Sequence, residues 1–271
     1  MRVLLVIPAR HGARRYPGKP LVALTGPGGR RASLIEHCWH AARAVPGIAR
    51  IVIATDDARI EAHAEGFGAE VVMTSADCAN GTERCAEALA RLGGGYDLVV
   101  NLQGDAPLTP PWFVTALIDA LSAHPAAEVA TPVLRCDAVA LADLRGDRQA
   151  GRVGATTAVF GAEGTALYFS REVLPWQDPG RPAAAPVFHH VGVYAYRPSA
   201  LAAYALWPQG PLERAEGLEQ LRFMERGHRV LCTEVEARGV RFWEVNNPED
   251  VARIEEICAA GRDAASLPPE A

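Results

Sequence analysis

At 271 residues the chain fits one large α/β domain, with or without a small appendage, and its 49% hydrophobic and 22% charged residues exclude wholesale disorder. A formal charge of −5 gives no support for a nucleic-acid-binding surface, so any anionic ligand must be met by a local basic cluster. Six cysteines without a CxxC pair or zinc-like spacing, an N-terminal apolar run cut off by Pro8 and Arg10, and no stretch near the ~18 apolar residues of a membrane span predict a cytoplasmic protein with free thiols and no membrane contact.

Short apolar runs alternate with amphipathic segments through the first half, which is the pattern of a mostly parallel sheet with helices on its faces. The first strand is expected at Val3 to Ile7 and a helix at Ser33 to Val45. A strand at Ile51 to Ala54, a helix at Asp57 to Phe67 and a strand at Val71 to Met73 follow. Next come a helix at Thr82 to Leu92, a strand at Leu98 to Leu102 and a helix at Pro111 to Ala123. From about Val129 to Pro211 the texture turns β-rich, with strands expected at Thr165 to Phe169 and His190 to Tyr196 and a Pro/Ala-rich stretch from Pro179 to Pro186. A strand at Val230 to Val235 and a helix at Pro248 to Ile257, capped by Asn247, return to the main sheet. The expected organisation is one domain over residues 1–260, with a β-rich sugar-binding or dimerisation extension inserted at about 129–211 and a frayed tail at 261–271.

In open α/β sheets ligands lie beyond the carboxyl ends of the strands, and two segments there carry chemistry. The first, Pro8 to Leu21, places Arg10, Arg14, Arg15 and Lys19 directly after the first strand, with Gly12 and Gly18 able to expose backbone N–H groups to a triphosphate. It is not a P-loop, because five residues separate Gly12 from Gly18 and Pro20 stands where a magnesium-holding Ser or Thr is required. The second is Asn101-Leu102-Gln103-Gly104-Asp105, where Asp105 is placed to hold Mg²⁺ together with substrate phosphates and Gln103 can offer donors and an acceptor to a sugar. Either segment alone has an ordinary reading, a solvated basic surface or a turn.

Together with Ala54-Thr55-Asp56, Gly81-Thr82-Glu83-Arg84, Ala166-Leu167-Tyr168-Phe169-Ser170-Arg171, His190-Val191-Gly192-Val193-Tyr194 and Leu218-Glu219-Gln220-Leu221-Arg222, these segments resemble, in order, the 3-deoxy-manno-octulosonate (Kdo) cytidylyltransferases. The resemblance implies a nucleotide-diphospho-sugar transferase fold of Rossmann-like α/β class, a homodimer and a requirement for Mg²⁺. It also implies transfer of CMP from CTP to Kdo for lipopolysaccharide or capsule assembly. Carried over by position, Pro8, Ala9, Arg10, Arg15, Lys19, Gly81, Thr82, Arg84 and Gln103 would serve the nucleotide. Gln103, Arg171, His190, Tyr194, Glu219 and Gln220 would serve the sugar acid. Arg10, Arg15, Lys19 and Asp105 would be catalytic, and Asp105 and Asn246 would face the metal.

Four departures separate this chain from the family pattern. Ala13-Arg14 replaces Ser-Thr, Ala106 replaces a glutamate, and Asn246 replaces a metal-binding aspartate. Thr157 stands where the family has a lysine, with Arg148 or Arg152 as the nearby substitutes. These changes leave the nucleotide chemistry intact and leave open the sugar, with 8-amino-Kdo and sialic-type acids as alternatives, and the number of metal ions. A nucleotide-binding protein without turnover is the rival from outside the enzymes.

Overall fold

The structure, a computed structural model, describes residues 1–12, 15–151, 155–178 and 186–265. In chain order it comprises β1 (Val3–Ala9), a hairpin of β2 (Ala23–Thr25) and β3 (Arg31–Ser33), α1 (Leu34–Arg43), β4 (Ile48–Thr55), α2 (Ala58–Gly66), β5 (Val71–Met73), α3 (Gly81–Arg91), β6 (Leu98–Leu102) and α4 (Pro111–Ala123). There follow β7 (Val129–Arg135), α5 (Ala138–Gln149), β8 (Thr156–Phe160), β9 (Ala166–Ser170), β10 (Phe188–His190) and β11 (Val193–Tyr196). The last elements are α6 (Pro198–Tyr204), α7 (Pro211–Glu216), α8 (Leu221–Glu225), β12 (Val230–Glu234) and α9 (Glu249–Ala265). No helix among the described residues is long and apolar enough to cross a membrane.

The chain forms two compact units, Met1–Trp112 with Ala237–Ala271, and Phe113–Glu236. In the first, β5, β4, β1 and β6 lie side by side, every pairing parallel. All seven residues of β1 are buried, as expected of a strand covered on both faces, and this explains its uninterrupted apolar sequence. The helices of this unit start where side-chain oxygens satisfy their first N–H groups: Ser33 caps α1 at Glu36, Asp57 caps α2 at Arg59, and Asn80 caps α3 at Glu83. The expected α/β class with parallel strands is found here, and the sequence boundaries of β5, β6 and α4 coincide with the observed ones.

In the second unit β7 is central. It pairs in parallel with β12 on one edge and antiparallel with β11 and β10 on the other, while β8 and β9 continue outward from β10. The single strand expected at His190 to Tyr196 is in fact two, because the chain breaks at Val191-Gly192. Val193 N donates to the carbonyl of Val191 at 2.7 Å, and Thr131 of β7 spans the break with its hydroxyl. The expected β-rich segment 129–211 lies within this unit, which also holds α5 and α6, neither anticipated. α9 begins at Glu249, one residue after the expected Pro248, and the carboxylate of Asp250 accepts from the backbone N–H of both Asn246 and Asn247 at its start. α9 then runs to Ala265, into the segment expected to fray; 266–271 lie outside the described residues.

Candidate functional site

The first unit gathers its chemistry at the carboxyl ends of β1 and β6. Pro8 and Ala9 close β1, and Arg10 emerges exposed. The loop folds back when Gly18, at φ 72°, donates its N–H to the carbonyl of His11 at 2.9 Å, a backbone conformation that favours glycine. A short 3-10 turn at Lys19–Leu21 then aims Lys19 inward. Its ammonium donates to Asp105 Oδ2 at 2.7 Å and to the carbonyl of Val245 at 2.8 Å. Exposed Arg15 donates to Asn246 Oδ1 at 2.8 Å. Val245 N in turn bonds the carbonyl of Asp105 at 2.9 Å, so Asp105 and Asn246 belong to adjoining segments.

Close backbone approach fixes these distances. A Cβ at Gly104 would lie 2.6 Å from the carbonyl oxygen of Pro8, so the turn after β6 rests directly on the end of β1. A Cβ at Gly81 would meet the amide of Gln103 and Pro8 Cγ, each at 3.3 Å, which brings three of the expected nucleotide-side residues into one cluster. Thr82 and Arg84, from the same expected set, are instead buried, at 1% and 3% exposure. The Arg84 guanidinium donates to Thr74 Oγ1 and lies 3.5 Å from Asp56 Oδ2, so its charge is used inside the unit, where it ties α3 to the ends of β4 and β5.

Asp105 and Asn246 present hard oxygens already turned toward cationic side chains. That donor set suits Mg²⁺ carried by phosphates, which takes one or two protein carboxylates, and it does not suit an all-protein cage. No group of three or more His, Cys, Asp or Glu able to hold a metal occurs among the described residues. Ala106, where the family has glutamate, is fully buried against the core.

Gln103 lies in the first unit, and the other expected sugar-side residues fall in the second, in two clusters. In one, Tyr194 donates its hydroxyl to Gln220 Oε1 at 3.1 Å, and His190 lies with its ring 5.6 Å from that of Tyr194. The Thr131 hydroxyl donates to the carbonyl of Val193 at 2.9 Å and accepts from His190 Nε2–H at 2.8 Å. Burial pushes the His190 imidazole down to about 3, so it offers a polar neutral ring and no cation. Gln220 is 2% exposed, and its Nε2 is buried without a hydrogen-bond partner. Glu219 beside it is half-buried, its carbonyl accepting from Tyr204 OH at 3.2 Å. A fully buried Glu213–Arg222 pair, at 2.6 Å, holds α7 against α8 on either side of Glu219 and Gln220.

The other cluster surrounds Arg171, just past β9. Arg171 Nε donates to the carbonyl of Glu216 at 2.5 Å and Nη2 to that of Gly217 at 3.3 Å. The position of the family lysine is filled by Thr157, fully buried, whose hydroxyl donates to the carbonyl of Glu172 at 2.6 Å and accepts from Leu174 N at 3.2 Å. Of the two expected substitutes, Arg148 donates to the carbonyls of Arg171 and Ala155. Arg152 lies outside the described residues, as does Arg14. Sequence reasoning passed over Thr131 and Glu216. The three-residue spacing of Glu213, Glu216 and Glu219 was the available signal for the latter.

A family model described as cytidylyltransferase matches residues 4–230. The chain is 42% identical over 263 residues to a 3-deoxy-manno-octulosonate cytidylyltransferase of Maricaulis maris (strain MCS10), covering 96% of this chain and 98% of that protein. It is 41% identical over 263 residues to an 8-amino-3,8-dideoxy-manno-octulosonate cytidylyltransferase of Shewanella sp. (strain W3-18-1), covering 96% and 100%. Its fold is similar, with a TM-score of 0.82 and 33% identity over 96% of this chain and 100% of the other, to a CMP:2-keto-3-deoxy-manno-octonic acid synthetase solved in complex with CTP.

Proposed function

Because this chain belongs to the cytidylyltransferase family, we propose that it transfers CMP from CTP to the anomeric hydroxyl of 3-deoxy-manno-octulosonate and releases pyrophosphate, for lipopolysaccharide or capsule assembly. The observation that carries the transfer is the meeting of Lys19 with Asp105, a phosphate-seeking cation against a hard carboxylate, at the carboxyl ends of two parallel strands. On the sugar side the support is Gln220, whose oxygen is fixed by Tyr194 so that its buried amide N–H groups must find their acceptors elsewhere, and a polyhydroxylated acid supplies them.

In this reading the 2-hydroxyl of the sugar acid attacks the α-phosphorus in line, and the protein contributes alignment and charge neutralisation. Arg10, Arg15 and Lys19 bind the triphosphate and offset charge growing on the departing pyrophosphate. Pro8, Ala9, Gly81 and Gln103 seat the nucleoside, with pyrimidine recognised mainly through main chain. Arg171 meets the sugar carboxylate, while His190, Tyr194, Glu219 and Gln220 meet its hydroxyls. Asp105 and Asn246 would hold Mg²⁺, which when bound neutralises phosphate oxygens and lowers the pKa of a bound hydroxyl. No side chain is assigned as general base.

The same reading includes a homodimer, supported by the exposed Leu167 and Trp176 of the second unit, and a cytoplasmic location, supported by six free cysteines. An 8-amino sugar is the second reading, since the chain is 41% identical to an enzyme named for it. The test is pyrophosphate release with CTP and Mg²⁺ on each candidate acid. Release with Kdo, and far slower release with ATP or GTP, is expected. Comparable turnover of a purine triphosphate, or CTP binding with no release on any acid, refutes the proposal.

A further inference from the structure

The geometry points to Glu216 as the positioning residue that fixes the plane in which Arg171 meets the substrate carboxylate, an inference that rests on the sugar-side role of Arg171 proposed above. Glu216 ends α7, and its carboxylate reaches back to the end of β9. Oε2 accepts from Arg171 N at 2.9 Å, while Oε1 accepts from Ser170 Oγ at 2.7 Å and from Tyr168 OH at 3.4 Å. The backbone of the same residue takes the Arg171 side chain, through the 2.5 Å bond from Nε to its carbonyl.

One glutamate therefore holds Arg171 at both main chain and guanidinium. The carbonyl of Gly217 adds the bond from Nη2, which it can do because Gly217 turns the chain at φ 63° and sets two successive carbonyls toward the arginine. Arg148 holds the carbonyl of Arg171 from α5. Amide, carbonyl and Nε of Arg171 are thus each tied, which defines the guanidinium plane. That plane matters because arginine recognises a carboxylate through paired, parallel N–H donors, and a tilt of the guanidinium forfeits one of them. The Glu216 carboxylate makes these bonds to a backbone N–H and to hydroxyls, a pattern that sets geometry.

Glu216→Gln tests the inference, since an amide cannot accept at both ends. The KM for the sugar acid should rise about tenfold or more, the loss of one charge-assisted bond, with kcat within a few-fold and the KM for CTP unchanged. Amide hydrogen exchange at Arg171 should accelerate in the same variant. An unchanged KM for the acid, or a fall in kcat with both KM values unchanged, overturns the positioning role, and unchanged exchange overturns the grip itself. If Glu216→Gln does not fold, Ser170→Ala removes the hydroxyl on Oε1, together with the acceptor of Glu172 N, and should raise the KM for the acid about threefold, while no rise overturns the inference. A wild-type enzyme that releases no pyrophosphate with any sugar acid refutes the proposed function; the hold on Arg171 is then judged by exchange alone.

Discussion

Replacing Lys19 with Met keeps most of the aliphatic stem and deletes the ammonium, so it isolates the two bonds from Nζ, to Asp105 and to Val245. The side chains are 14% and 26% exposed, which places the pair between a surface ion pair and a buried one. A charge-assisted bond in that setting is worth about 2 kcal/mol. At roughly 2–4 °C per kcal/mol for a chain of this size, the thermal midpoint should fall by about 4–8 °C. The same substitution should have the opposite effect on divalent ions. With Lys19 gone, Asp105 Oδ2 no longer has a resident cation, and Mn²⁺ binding without nucleotide should tighten by up to about thirtyfold, the same ~2 kcal/mol read as an affinity. Catalytic efficiency should fall about tenfold to a hundredfold, because Lys19 also serves the triphosphate in the proposed site. Calorimetry and Mn²⁺ electron paramagnetic resonance on the two proteins are the assays. An unmoved midpoint together with unmoved Mn²⁺ affinity would mean that the ion pair contributes nothing in solution, and the reasoning fails.

Asn246→Asp places a carboxylate beside Arg15 and next to the segment of Asp105, so the Mg²⁺ concentration for half-maximal rate should fall; an unchanged titration removes Asn246 from the metal's surroundings. His190 makes stability pH-dependent: held at about 3 in the folded protein against 6.5 as the ordinary value, its contribution is complete above pH 6.5 and erodes as pH falls toward 3. The slope is at most about 1.4 kcal/mol per pH unit. Urea midpoints measured from pH 7.5 to 4.5 should decline more steeply for the wild type than for His190→Gln, and parallel curves would show that the imidazole is not held neutral.

Much of the first unit was legible because local and global signals agree there. The apolar runs at Val71 to Met73 and Leu98 to Leu102 are the observed strands, and the observed helices α1 and α2 are capped by Ser33 and Asp57 at the positions where the helical patterns begin. The second unit misled because its central strand, β7, carries Pro132, and its helix α5 carries Gly146, residues that argue locally against the structures they occupy. Tertiary pairing overrides both. The break at Gly192 was invisible for a related reason, since what stabilises it is a threonine some 60 residues earlier. The charged residues of the site could be identified by type and place, but not their partners. Arg15 finds Asn246 across 231 positions and Lys19 finds Asp105 across 86, distances over which spacing carries no information.

Gly104 contributes no charge, no donor from a side chain and no contact with any ligand in the proposed chemistry, yet it sets the gap between the two halves of the phosphate apparatus. Any larger residue would have to push the end of β6 off the Pro8 carbonyl, carrying Asp105 away from the basic loop. A substitution at Arg15 or Asn246 changes one hydrogen bond and leaves the frame standing, whereas Gly104 has no such graded path: the residue without chemistry of its own is the one least able to change.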